Sequence, residues 1–178
     1  MEEVNMNISK MVSDTVNLYR QLDAKNQKIW KPGTHVSSSY VSLNIHMSEL
    51  AKSSGMLKTD ITVPSGNRDY QLENYVKTLR DFLLIANLQS WTDIINVDEQ
   101  TLNKLSAMKK TDDLNSLYLS MLNMLLKSYY EKSKIGYKHA WTLFLKFGIV
   151  DLGFQAEEIT DKFDEMIQND LNTVLDNH

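Results

Sequence analysis

The chain has 178 residues, of which 42% are apolar and 24% charged; 19 Lys and Arg stand against 23 Asp and Glu, a formal charge of −4. An acidic balance of this kind argues against a protein that neutralises phosphate backbones in a DNA or RNA groove. The absence of cysteine excludes disulfides, thiolate metal sites and cysteine nucleophiles. No run of about 18 apolar residues is present to span a membrane, and Met1-Glu2-Glu3 has none of the basic character of a signal peptide, so a cytoplasmic protein is expected. Six Gly and two Pro leave little turn chemistry for strands, which predicts an all-α fold, one helical domain over residues 1–178.

In chain order, Ile8, Met11, Val12, Tyr19 and Leu22 form a first helical stripe, with Ile29 and Trp30 as its extension before Lys31-Pro32-Gly33 breaks the chain. Ser37 to Ser39 offer N-cap hydroxyls to a second helix whose inner face is Tyr40, Leu43, Met47, Leu50 and Ala51, with Gly55 as its stop. The pattern fails from Met56 to Arg68, where Pro64-Ser65-Gly66-Asn67 is a turn and Ile61-Thr62-Val63 reads as a short extended piece. The clearest helix runs from about Asp69 to Gln89, with Leu72, Tyr75, Val76, Leu79, Phe82, Leu83 and Ala86 three and four residues apart. Asp98 caps a short helix, and Asp112 or Asp113 opens one carrying Leu114, Leu117, Tyr118, Met121 and Leu125. A helix over 137–152, stopped by Gly153, carries Trp141, Phe144, Leu145 and Phe147. The last helix starts at Ala156-Glu157-Glu158, where carboxylates suit the positive helix end, and shows Ile159, Phe163, Met166, Ile167 and Leu171.

Phosphate-binding, dinucleotide-binding, nucleophile-elbow and zinc-protease strings are all missing, and the four histidines do not cluster at ligand spacing. The nine methionines sit mostly on apolar stripes and read as core. Two polar pairs stand out inside apolar faces at a spacing of three: His46 with Glu49 on the second helix, and Asn74 with Lys77 on the third. Side chains so spaced project together from one face.

This frame resembles the all-α nucleoside-triphosphate pyrophosphatases, and within them the dimeric dUTPase and MazG-like families, whose signature is E-x-x-E on one helix and E-x-x-D on a second. Leu18-Tyr19-Arg20-Gln21-Leu22-Asp23 is similar to the opening helix of that family, and Leu72-Glu73-Asn74-Tyr75-Val76-Lys77 to its L-E-E-Y-V-D. Gly153-Phe154-Gln155-Ala156-Glu157-Glu158-Ile159, followed by Asn169 and Asn172, is similar to its G-F-x-x-E-E-I and K-N-x-x-N-x-x-R ending. The resemblance implies a helical bundle, a dimer or dimer-like packing, four carboxylates holding Mg²⁺, and dUTP or a related triphosphate as substrate.

Residue by residue, however, the matched metal positions are His46, Glu49, Asn74 and Lys77, with one carboxylate among four. Asn169 and Asn172 keep the substrate-binding asparagines, while Gln168 and Leu175 stand where a lysine and an arginine are usual, and Tyr19 where a glutamine near the base is usual. Mg²⁺ requires hard oxygen ligands, and an ammonium among them repels it. The expectation is a protein without cofactor or catalytic residues, Mg²⁺ entering only if activity survives, that binds a nucleotide such as dUTP or dUMP, or a protein partner. Lys77 is expected to pair with Glu49 across the two helices. Asp81 and Glu73 are further carboxylates close by, although Glu73 points about 100° away from Asn74. An active dUTP diphosphatase and an unrelated helical interaction module are the alternatives.

Overall fold

The computed structural model describes residues 6–56 and 67–176, and among them every regular element is helical. The helices are α1 (Ile8–Lys25), α2 (Thr34–Ser53), α3 (Arg68–Leu88), α4 (Thr92–Ile95), α5 (Glu99–Ser106), α6 (Leu114–Tyr130), α7 (Lys134–Lys146) and α8 (Ala156–Leu175), with a π-helical turn over Phe147–Asp151. The extended piece at Ile61-Thr62-Val63 lies outside the described residues.

Polar side chains define the starts. Asn7, Asn67, Asp98, Asp113 and Ser133 each accept a backbone N–H from the first turn that follows, and Glu158 reaches back to the amide of Gln155 at 2.8 Å. Two boundaries differ from the sequence expectation. The second helix starts at Thr34, three residues before the serines, because Gly33 takes a left-handed φ of 78° that turns the chain into the helix. Ser39 consequently lies inside α2, buried, its hydroxyl donating to the carbonyl of His35. At the other boundary α1 ends at Lys25, so Ile29, 90% exposed, and Trp30 do not continue its stripe.

Helix α3 is the centre of the molecule. Twelve of its 21 residues are buried, too many for one amphipathic face, because α1, α2, α4 and α8 all pack on it. Its most extensive partner is α2, and the pair is antiparallel: Ser42 and His46 meet Asp81, while Gln71 donates to the carbonyl of Ser53. Helices α6 and α7 form a second close pair, tied to the first by an aromatic layer. The Phe144 ring stacks on Tyr75 at 4.4 Å and on Phe82 at 4.8 Å, and the Tyr137 hydroxyl donates to the carbonyl of Phe82. The π turn sits over this layer, where Gly148 lies against the Tyr75 ring.

Candidate functional site

The α2–α3 contact contains the matched metal positions, and its register follows from the three hydrogen bonds just given. His46 stands half-buried at the level of Asp81, whose carboxylate is fully buried between the helices. One carboxylate oxygen, Oδ2, takes both the Nδ1 of His46 at 2.5 Å and the hydroxyl of Ser42 at 3.0 Å; Oδ1 is buried without a hydrogen bond. An imidazole whose Nδ1–H donates to a carboxylate is locked in orientation and tautomer, and it presents Nε2 as its free nitrogen. The carboxylate that stabilises His46 is therefore one the pairwise spacing did not include.

The other three positions are engaged differently. Asn74 is buried, and its side-chain amide donates to the carbonyl of Tyr70 one turn back on the same helix. Lys77 does not bridge to Glu49, as expected from the sequence, but pairs at 2.5 Å with Glu73 on α3 itself. The spacing of four puts these two on one face with the acid toward the helix start, an arrangement that needs no second helix. Glu49 remains half-buried on α2, level by register with Val76.

Lys77 turns toward α8 and not toward α2. With Glu73 it lines a cleft of about 430 Å³ between α3 and α8, opposite Lys162, Glu165, Asn169 and Asp170. Lys77 and Asn169, separate proposals in the sequence, thus share one cleft, while Asn172 is exposed on α8 and does not line it. Three cations face three carboxylates here: Lys77 with Glu73, Arg80 with Asp170 at 2.6 Å, and Lys162 with Glu165 at 3.2 Å. The local balance is neutral. Glu165 and Asp69 hold the Lys162 ammonium above the usual lysine range, with slight burial opposing them.

Arg80 joins this cleft to a second polar corner, of which sequence reasoning singled out only Tyr19. Its guanidinium lies over the Tyr19 ring, and its Nε is buried without a partner. Burial raises the Tyr19 hydroxyl above the ordinary tyrosine range, with the Arg80 charge opposing it. Beyond Tyr19, the rings of His35 and Trp30 stack face to face at 4.2 Å and 2°, and the Trp30 indole N–H donates to Asp23 at 2.9 Å. Burial lowers the pKa of His35, against the pull of Asp23, and its Nε2 has no hydrogen bond. The sequence signal for this corner was an aromatic and a histidine flanking a Pro-Gly break, which also reads as an ordinary loop.

The donor set does not suit a hard divalent cation. Among the described residues no group of three or more His, Asp or Glu is placed to hold a metal ion. The matched positions hold an imidazole tied to Asp81, a back-bonded amide, an ammonium paired elsewhere and a single carboxylate. No helix of the described residues is long and apolar enough to cross a membrane. No family model and no curated protein matches the chain.

Proposed function

We propose that this chain is a dUTPase/MazG-like helical protein with a degenerate Mg²⁺ site, which acts by binding a nucleotide and not by hydrolysing it. One observation carries the reading: His46, Asn74 and Lys77 each have a partner inside the protein, and none of these three contributes negative charge toward Glu49. Phosphoanhydride hydrolysis in a carboxylate site depends on metal to polarise the phosphate and to generate hydroxide. A lone Glu49 does not offset the dehydration of Mg²⁺.

The α3–α8 cleft supports the binding half of the proposal. Its Lys77–Glu73 and Lys162–Glu165 pairs are partly exposed, so each contributes under about 1 kcal/mol. A phosphate dianion can displace such carboxylates and gain charge-assisted bonds from Lys77 and Lys162, with Asn169 adding an amide donor. The test is pyrophosphate release from dUTP with Mg²⁺, paired with calorimetric titration of dUTP and dUMP. The expected result is binding without turnover, weakened by Lys162→Ala. Turnover at the roughly 1–10³ s⁻¹ typical of enzymes overturns the proposal. Absence of binding removes the nucleotide and leaves a protein partner.

A further inference from the structure

Helices α3 and α8 run parallel, tied in step by Arg68 with Glu158 at 2.9 Å, Asp69 with Lys162 at 3.4 Å and Arg80 with Asp170 at 2.6 Å. The first two pairs lie near the helix starts, and the third about three turns further along. Among the described residues that line the cleft between these helices, Arg80 and Asp170 form the one ion pair that crosses it. Lys77 with Glu73 and Lys162 with Glu165 each stay within a single helix.

The crossing pair is lopsided. The Arg80 side chain is 14% exposed and lies over the Tyr19 ring, whereas Asp170 is 43% exposed. A guanidinium does not lose its proton in a protein, so at this depth it requires an anion beside it. Asp170 supplies one through Nη1 alone, and Nε is left buried without a hydrogen bond. The planar fork of an arginine suits two oxygens of one anion, a preference that this single contact leaves unmet.

We infer that Asp170 is an internal stand-in for a phosphate group: it occupies Arg80 in the free protein, and a ligand's phosphate takes its place. The inference rests on the reading that this cleft binds phosphate, and adds how that binding is held in check. The resemblance assigns no role to either residue. The exposed member of the pair is the anion, so Asp170 regains its hydration when displaced while Arg80 stays in place. Lys77 and Lys162 line the same cleft, so the incoming group meets three cations. A single organic carboxylate only matches what Asp170 already offers. A phosphate dianion brings roughly twice the charge and three acceptor oxygens, which selects phosphate as the displacing chemistry.

Titration calorimetry with inorganic pyrophosphate tests the exchange, because that probe carries neither base nor sugar. Asp170→Asn is expected to tighten pyrophosphate binding at least about fivefold, the factor that follows from removing a competing, partly exposed ion pair. Asp161→Asn, the same charge change at an exposed site of α8, should leave the affinity within about twofold. Adding Arg80→Gln to Asp170→Asn should abolish the gain. If that variant misfolds, Arg80→Lys, which keeps the charge and loses the fork, should lose most of it. An affinity unmoved by Asp170→Asn, an equal gain from Asp161→Asn, or a gain that survives without Arg80 overturns the inference. So does the absence of pyrophosphate binding in both the parent and Asp170→Asn. Failure of the nucleotide reading looks different: pyrophosphate binding tightened by Asp170→Asn, with dUTP and dUMP bound no better than pyrophosphate and inorganic phosphate, supports the exchange and removes the nucleotide.

Discussion

Gly148→Ala tests the packing that fixes α3 against the π turn. A Cβ built on Gly148 falls inside the van der Waals surface of the Tyr75 ring, on Cε2 and Cζ. The ring cannot step aside: it is fully buried, stacked on Phe144 at 4.4 Å and flanked by Phe154 at 5.5 Å. Relief needs about 1 Å of movement in one of these groups, and overpacking of that kind costs about 1–3 kcal/mol. Because the neighbours are clamped, the upper end is expected, which for a chain of this size is a fall in Tm of roughly 6–12 °C. Thermal unfolding followed by circular dichroism measures it directly. The double variant Tyr75→Leu with Gly148→Ala isolates the cause, since removing the ring removes the clash. It should be less destabilised than the sum of the single variants by about 1 kcal/mol or more. A Gly148→Ala protein within about 0.5 kcal/mol of the parent would refute the close packing.

Replacing His46 with Glu brings a second carboxylate against the buried Asp81; urea unfolding should show a loss of about 2 kcal/mol, partly recovered by adding Asp81→Asn. No change in the midpoint on His46→Glu would contradict the His46–Asp81 bond. The lowered pKa of His35 means that the unfolded chain takes up a proton that the folded chain resists. Its contribution to stability is therefore complete above the ordinary histidine value of 6.5 and diminishes as pH falls below it. His35→Phe, which keeps a ring on Trp30, should flatten the fall in Tm between about pH 7 and pH 5; an unchanged slope counts against the assignment.

The helices of this protein were legible in its sequence wherever one periodicity held along a segment. The α3 repeat and the Asp98 and Asp113 caps are found where spacing and hydroxyl or carboxylate chemistry place them. The α2 start was not legible, because three consecutive serines imitate a cap. In the fold, the earlier Thr34 and Ser37 hydroxyls donate back to carbonyls, and Gly33 makes the turn. The π turn was hidden for another reason. Its i→i+5 bond, from the amide of Leu152 to the carbonyl of Phe147 at 2.9 Å, inserts one residue into a continuous apolar pattern without interrupting it. At the site, spacing placed His46 and Glu49 on one helix and Asn74 and Lys77 on another, but it could not say where Lys77 turns. That depends on α8, more than 80 residues away, and on the competing reach of Glu73.

The distribution of charge explains how the α2–α3 pair holds together. Four carboxylates converging between two helices repel one another, and only a divalent cation makes such a convergence favourable. Here the one fully buried carboxylate, Asp81, takes donors from two side chains of α2, while Lys77 is neutralised by its own helix and Asn74 by a backbone carbonyl. Each polar group buried along this contact is thus balanced locally, with the exception of one oxygen of Asp81. A buried charge is tolerated when its partners are fixed, and Ser42 and His46 are fixed by the same buried stripe, Ser39, Leu43 and Met47, that packs α2 on the core. A carboxylate placed at His46 alone would therefore add negative charge to a contact that already holds the buried Asp81.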